Sequence, residues 1–439
     1  MKRITALFRN NSYRIPAIVA LLLLLVSSGF AQTNDKVLKI SAPETAGFSS
    51  QRLARLDTAM NNWVKNKWLN GSVALIARKG KIIFHKAYGY NNLVTREPLD
   101  KNGIFRIASQ TKAITTVAAM MLWEEGKFSL DDPVYKYIPA YYTTSVLNEF
   151  HPADTTFTTV PANRFITIRD LLTHTSGLGY PGIGTPMENA IYAKYSLTGG
   201  VGTKNPTLSD AMTRLAHLPL FFQPGQKWKY GLSSDLLGYL IEIWSGMTLE
   251  EYFTQKIFKP LGMNDTYFNV PREKAYKLVN FFLEDSTGIH KQAFLFNGSM
   301  DMSYPLKHTD YFSGGGGLSS SIKDYAILLQ MLLNGGSYNG VRLLSRNTVR
   351  MMTMNQIGDL TVTYTENKFG FGFSIITEAG SRLGPSQAGT YAWGGVFSTS
   401  YWVDPKEDMI VLLYRQMWGS HVTDTDKAFK QLVYQALND

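Results

Sequence analysis

Ser72-Val-Ala-Leu-Ile-Ala-Arg78, Lys79-Gly80 and Lys81-Ile-Ile-Phe-His-Lys-Ala-Tyr88 decide the fold. Two strand-forming runs flank a Lys-Gly turn signal, so residues 72–90 read as a β-hairpin. Upstream, Ser50 to Trp68 places Leu53, Leu56, Met60 and Trp63 at helical spacing. Downstream, Ser109 to Glu125 reads as a second helix. Ile114, Val117, Ala118, Met121 and Leu122 form its stripe, and Gly126 is its stop. From there to about residue 330, helical stretches alternate with loops rich in Gly, Pro and Thr. Strand patterns then return over Phe369 to Ile376, Tyr391 to Val403 and Met409 to Arg415, with Asp404-Pro-Lys-Glu-Asp408 turning between the last two. Thr425 to Leu437 closes as a helix. Strands at both ends of a helical middle imply an α+β fold. One antiparallel sheet is built from both termini and flanked by helices, with a mainly helical inserted domain. The expected division is 32–108 with 320–439 for the sheet, and 109–319 for the helical part. A cleft between the two is the expected place for a site.

The 439 residues exceed what one simple core of roughly 250–300 residues accommodates. Hydrophobic residues at 44% and charged residues at 18% exclude a disordered or collagen-like chain. The chain has no cysteine, which excludes disulfides, thiolate metal centres, iron–sulfur clusters and a cysteine nucleophile. Lys2, Arg3, Arg9 and Arg14 precede an apolar run from Ile15 to Val26, followed by Ser27, Ser28, Gly29, Phe30 and Ala31. Charged, apolar, then small is the order of a secretory signal peptide over residues 1–31, cleaved between Ala31 and Gln32. The mature protein is then expected in the periplasm or outside the cell, without a stable membrane anchor. Setting those four basic residues aside leaves 40 Lys and Arg against 34 Asp and Glu. That mild excess, with no Lys/Arg run, gives no sign of nucleic-acid binding.

Ser-x-x-Lys occurs twice, at Ser109-Gln-Thr-Lys112 and Ser320-Ser-Ile-Lys323. Chance alone supplies roughly one or two such matches in a chain of this length. Ser321 and Asp324 open a helical run and resemble a capping box, so the second match reads as structural. Ser109 and Lys112 open a helix with a continuous apolar stripe, and three residues apart they share a face. A buried lysine that gives up its proton can activate a serine hydroxyl, and a helix N-terminus supplies N–H groups for an oxyanion. Two readings of Ser109 stand at this point: nucleophile, or helix cap. There is no Gly-x-Ser-x-Gly elbow, no metal-binding histidine spacing and no phosphate loop following a strand. No metal and no organic cofactor are expected. His174 reads as a helix-end histidine satisfied by backbone, and Gly314 to Gly317 as a tight turn beside a site.

Phe105-Arg-Ile-Ala-Ser109-Gln-Thr-Lys112 resembles the serine beta-lactamase-related superfamily, which includes class C beta-lactamases, DD-peptidases and family VIII carboxylesterases. Glu124-Glu-Gly-Lys-Phe-Ser-Leu-Asp-Asp-Pro133 and Ile166-Thr-Ile-Arg-Asp-Leu-Leu-Thr-His-Thr-Ser-Gly-Leu178 are similar to further family segments. So are Phe222-Gln-Pro-Gly225, Pro260-Leu-Gly-Met263 and Gly315-Gly-Gly-Leu318. They run in family order from about Gly47 to the C-terminus. The resemblance implies Ser109 as nucleophile, Lys112 as base and Tyr230, in Trp228-Lys-Tyr-Gly-Leu232, as the proton relay. Leu232 stands where the family has Asn and cannot donate its hydrogen bond. Trp393-Gly394-Gly395-Val396 stands where beta-lactamases carry Lys-Thr-Gly, and it resembles the family VIII esterases. The resemblance places the N–H groups of Val396 and Ser109 in the oxyanion hole. Trp393 replaces a carboxylate-binding lysine with an apolar wall, and Gly394 and Gly395 let a substrate approach the backbone.

These readings lead to an exported serine hydrolase acting on a small-molecule ester, or amide, through an acyl-enzyme. A penicillin-interactive enzyme and an acyltransferase are its rivals, and a binding protein without catalysis is the rival of another class. The loop from Tyr180 to Thr207, with Pro181, Ile183, Pro186, Met187 and Tyr192, is expected to shape the pocket.

Overall fold

The computed structural model describes residues 35–203, 206–295, 300–362 and 365–439. The expected signal segment lies outside these residues. The principal sheet contains β1 (Lys39–Ile40), β2 (Gly71–Arg78), β3 (Lys81–Asn92), β4 (Lys368–Phe369), β5 (Ser374–Ile375), β6 (Tyr391–Gly395), β7 (Thr399–Asp404) and β8 (Met409–Tyr414). Their spatial order is β1-β3-β2-β8-β7-β6-β5-β4, with Glu97–Pro98 added beside β3. Only β1 runs parallel to its neighbour; the other pairings along this path are antiparallel. The join between the ends of the chain is β2 against β8, from Val73 opposite Tyr414 to Arg78 opposite Met409.

Alternation explains why these two strands sit at the centre. Val73, Leu75 and Ala77 of β2, with Ile410, Leu412 and Tyr414 of β8, belong to one apolar cluster. Ala74 and Ile76, with Met409, Val411 and Leu413, belong to a second. Successive side chains point to opposite faces, so both faces of these strands are buried and both need apolar residues. The second cluster is completed by α1 (Ser50–Lys65) through Leu53, Leu56, Met60 and Trp63, and by Phe429 and Val433 near the chain end. Burying each such side chain contributes roughly 1.5–3 kcal/mol. At the hairpin turn, Lys79 and Gly80 both have positive φ, 56° and 77°, as a two-residue connection requires. Arg78, 6% exposed, binds Glu407 and Asp439 and so ties this turn to the end of the chain.

The first cluster takes in α2 (Thr111–Glu124), α3 (Ser233–Ser245) and α4 (Ile322–Leu333). Helix α2 is buried from Thr111 through Met120, which is the pattern of a central helix rather than a surface one. Further helices are Ile168–Thr173, Pro186–Lys194, Leu208–Leu215 and Val422–Tyr434, the last labelled α5. α1 and α5 pack together over the second cluster.

Several expected elements end elsewhere. The run Tyr391 to Val403 forms two strands, not one, because residues 396–398 turn and Ser398 adopts φ 69°. Phe369 to Ile376 likewise divides at Gly372, with φ 81°. The helix expected over Thr425 to Leu437 spans Val422–Tyr434. The Thr-rich stretch read as loop pairs Ser145–His151 with Thr156–Pro161 as an exposed hairpin. Its side chains are largely polar and face solvent, so no apolar alternation marks it. Among the described residues no helix is long and apolar enough to cross a membrane.

Candidate active site

A small sheet sets the approach to Ser109. Ile104–Arg106 pairs with Ser319–Ser321, which pairs in turn with Thr266–Tyr267, and the Ile107 amide donates to Leu318 at 3.1 Å. Ala108 then takes φ 43°, a left-handed backbone costing a residue with a Cβ about 1–3 kcal/mol. This kink opens a short 3₁₀ turn, Ala108–Gln110, and α2 begins only at Thr111. Ser109 caps neither the turn nor the helix. Its Oγ instead accepts the Tyr230 hydroxyl at 2.6 Å.

Lys112, 2% exposed, lies one turn further along. Its Nζ donates to the Gly315 carbonyl at 2.6 Å and stands 4.4 Å from the centre of the Tyr230 ring. The ring that Lys112 faces therefore carries the hydroxyl that touches Ser109. The four-glycine turn is held against α2 at successive points: Gly315 accepts Lys112, Gly314 accepts Thr115 and Leu318 donates to Thr111.

Tyr230 is fixed by stacking. Tyr180 lies parallel to it at 5.6 Å, His174 at 5.1 Å and Trp393 at 5.6 Å. Lys229 donates its amide to the His174 carbonyl, and its ammonium pairs with the fully buried Glu188 of Pro186–Lys194. Glycine is required at 231 because a Cβ there would stand 2.1 Å from the Leu178 carbonyl oxygen.

His174 ends the helix Ile168–Thr173 in a left-handed conformation, and its Nδ1 finds no partner among the described residues. The ring is thus held by aromatic packing on Tyr230, Trp228 and Phe369 and not by backbone, which corrects the sequence expectation. Burial first, and then the nearby Lys112 charge, lower its pKa to about 3. Unfolded, it would take up a proton below about 6.5; folded, it resists until about 3. His174 therefore contributes stability at neutral pH that is lost as pH falls through that window. His174→Asn, which tolerates the left-handed backbone, should weaken this dependence. Urea midpoints at pH 7 and pH 4.5 should differ less in the variant than in the parent; equal differences would refute the assignment.

A cavity of about 470 Å³ opens over Ser109. Tyr180, Pro181, Ile183, Leu197, Val201, Met300, Gly316, Val396 and Phe397 are among its walls, and no described lining residue is charged. Of the expected loop, Pro181 and Ile183 line the cavity, while Pro186 and Met187 lie in the helix Pro186–Lys194. Tyr192 lies in the core, its hydroxyl accepting the Gly179 amide. Val396 is 45% exposed at the end of β6, and it shares the cavity with Ser109. Gly395 brings the strand against the preceding segment: a Cβ there would lie 2.3 Å from the Ile107 carbonyl oxygen. Gly394 pairs with Ser400. Trp393 joins Trp228, Tyr230 and Phe369 in an aromatic cluster. Leu232 is wholly buried and faces the core.

The second Ser-x-x-Lys is built differently. Ser320 is fully buried and bonded to Thr266, and Lys323 is exposed. Ser321 caps α4 by accepting the Asp324 amide. The reciprocal half of a capping box is absent here, because the Asp324 carboxylate binds the Asp265 amide and Thr266.

The sequence reading did not single out Asp235. It is wholly buried on α3, accepts the Ser313 hydroxyl at 2.6 Å and lies against Gly315. Burial raises its pKa, against the hydrogen bond from Ser313 and the Lys112 charge. The available signal was an acid on the apolar side of a helix, beside Leu232 and Leu236. Tyr180, stacked on Tyr230, was noted only as a loop boundary. Among the described residues no group of His, Asp and Glu could hold a metal ion. The arrangement combines a hydroxyl, an adjoining phenol, a buried amine and an uncharged chamber.

A family model described as Beta-lactamase matches residues 51–435. Esterase EstB of Burkholderia gladioli is 30% identical over 376 residues, covering 82% of this chain and 89% of that one. An Escherichia coli K12 protein, named provisionally as a D-alanyl-D-alanine carboxypeptidase, is 28% identical over 429 residues, 92% of this chain and 91% of that one. Among solved structures, EstCE1, described as a hydrolase with promiscuous acyltransferase activity, superposes with a TM-score of 0.73. It has 26% identity, covering 89% of this chain and 99% of that one.

Proposed function

The chain belongs to the beta-lactamase family of serine hydrolases, and on that premise we propose that it hydrolyses carboxylic esters through an acyl-enzyme on Ser109. The observation that carries this reading is the 2.6 Å contact between the Tyr230 hydroxyl and Ser109, on a ring faced by Lys112. A hydroxyl both donates and accepts, so rotation of the two hydrogens reverses the bond. The Ser109 proton then passes to Tyr230 as Oγ attacks the ester carbonyl, and the Tyr230 hydroxyl gives up its own proton to neutral Lys112. The N–H groups of Ser109 and Val396 receive the oxyanion. Collapse breaks the bond to the alcohol, which leaves with the proton returned through Tyr230. Water repeats the sequence on the acyl-enzyme and frees the acid and Ser109. The order of residues 1–31 supports export.

The cavity supports esters over the anionic substrates of penicillin-interactive enzymes. Its described walls offer no cation for a carboxylate, and the sequence holds Trp393, which is not among those walls, where the resemblance would place that cation. An uncharged acyl group meets no charged wall there. The name of EstB agrees with this reading, while that of the E. coli relative points to the rival. The description of EstCE1 adds transfer of the same acyl group to an alcohol in place of water. Short-chain aryl esters should therefore show a much higher kcat/KM than cephalosporins or D-Ala-D-Ala peptides. If the beta-lactams turn over fastest, the ester reading is wrong.

A further inference from the structure

β6 and β7 are joined by Val396, Phe397 and Ser398. Ser398 has φ 69° and donates its amide to the Gly395 carbonyl at 3.0 Å. This is a three-residue hairpin loop with its last residue left-handed. Its central peptide joins Val396 to Phe397, and both residues line the cavity over Ser109. A flip of the central peptide would exchange the sides of its C=O and N–H, at the cost of a positive φ at Phe397.

Here the peptide is clamped from the strand Met417–Trp418. The Trp418 indole N–H donates to the Val396 carbonyl at 2.6 Å, and the Met417 amide donates to the Phe397 carbonyl at 3.3 Å. The Ser398 hydroxyl donates to the Met417 carbonyl. Met417–Trp418 is held by parallel pairing with Phe282–Leu283, and the Trp418 ring meets Phe281 edge-on at 6.1 Å. Trp418 is not among the residues lining the cavity, and the Val396 carbonyl is directed at its indole. In a trans peptide the Phe397 N–H then points the opposite way. Neither the Val396 nor the Phe397 N–H donates a hydrogen bond among the described residues.

We infer that Trp418 is a positioning residue for the oxyanion: its indole N–H fixes the Val396 carbonyl and so holds Val396, whose own N–H receives the oxyanion, against rotation of the Val396–Phe397 peptide. A flipped peptide would present the Val396 carbonyl to the developing negative charge and oppose it. The inference rests on the ester-hydrolase reading above and concerns only the transition state. Ground-state binding of an uncharged ester does not need this N–H, so the effect falls on kcat.

Trp418→Phe deletes the N–H and keeps a ring against Phe281. With 4-nitrophenyl butyrate, kcat should fall about tenfold, a fraction of the 10²–10³ that loss of an entire oxyanion donor costs. KM should stay within about twofold, and phenylboronic acid, whose tetrahedral adduct mimics the intermediate, should bind about tenfold more weakly. Trp418→His, which keeps a ring N–H, is the second variant, and its kcat should lie nearer the parent. Unchanged kcat and boronate affinity in Trp418→Phe would overturn the inference, as would a loss confined to KM. So would a His variant as slow as the Phe variant. If a fluorophosphonate fails to label Ser109 in the parent protein, the hydrolase reading itself fails, which is a separate outcome.

Discussion

Ser109→Ala should abolish ester turnover and fluorophosphonate labelling, with kcat falling by about 10⁴-fold or more, as when other serine hydrolases lose their nucleophile. The fold should survive, because the Ser109 side chain caps no helix and its hydrogen bond is to Tyr230 alone among the described residues. Tyr230 would still be held by Tyr180, His174 and Trp393. Ser320→Ala is the matched control, since it carries the same short pattern. It removes a buried bond to Thr266 and should cost about 1 kcal/mol of stability with kcat nearly unchanged. Peptide mapping of the label gives the decisive reading. A label on Ser320, or full activity in the Ser109 variant, would place the nucleophile elsewhere.

The two Ser-x-x-Lys matches show what the sequence could and could not reveal. Their difference was legible because one follows a glycine turn and opens a serine-capped helix, while the other opens a helix with a continuous apolar stripe. The central hairpin was legible too: β2, buried on both faces, is apolar along most of its length, and Lys79-Gly80 supplies the turn to the partly exposed β3. Less visible was every feature set by a distant partner. Ser398 is an ordinary residue in a strand-like run, and its left-handed backbone belongs to the three-residue loop that Met417 and Trp418 hold by hydrogen bonds. The Thr-rich hairpin has neighbouring strands but no apolar face to announce it. Asp235 looked like one polar residue in a helix. Its place against Gly315, beside the lysine of another helix, depends on contacts across more than 70 residues of chain. The glycines of Trp393-Gly394-Gly395 were read as room for a substrate, yet the space at Gly395 is filled by the Ile107 carbonyl.

Lys112→Arg should be as damaging as Lys112→Ala if Lys112 acts as a base. Arginine keeps a cation but does not give up its proton near neutral pH. A purely structural cation would tolerate the exchange better than truncation, because guanidinium could still donate to the Gly315 carbonyl. Tyr230→Phe preserves the ring that packs on Tyr180 and His174 and removes only the hydroxyl on Ser109. It should cost roughly 10²–10⁴-fold in kcat, the usual worth of positioned acid–base catalysis. The double variant separates a shared proton path from two independent contributions. If Lys112 and Tyr230 serve one path, removing either interrupts it, and the double variant should be little worse than the poorer single one. Independent roles would multiply the two losses. Measuring kcat for Tyr230→Phe, Lys112→Ala and their combination, alongside Lys112→Arg, distinguishes these cases. Multiplicative losses, or a near-normal rate in Lys112→Arg, would show that another group is the base and that the amine serves only to hold Gly315 in place.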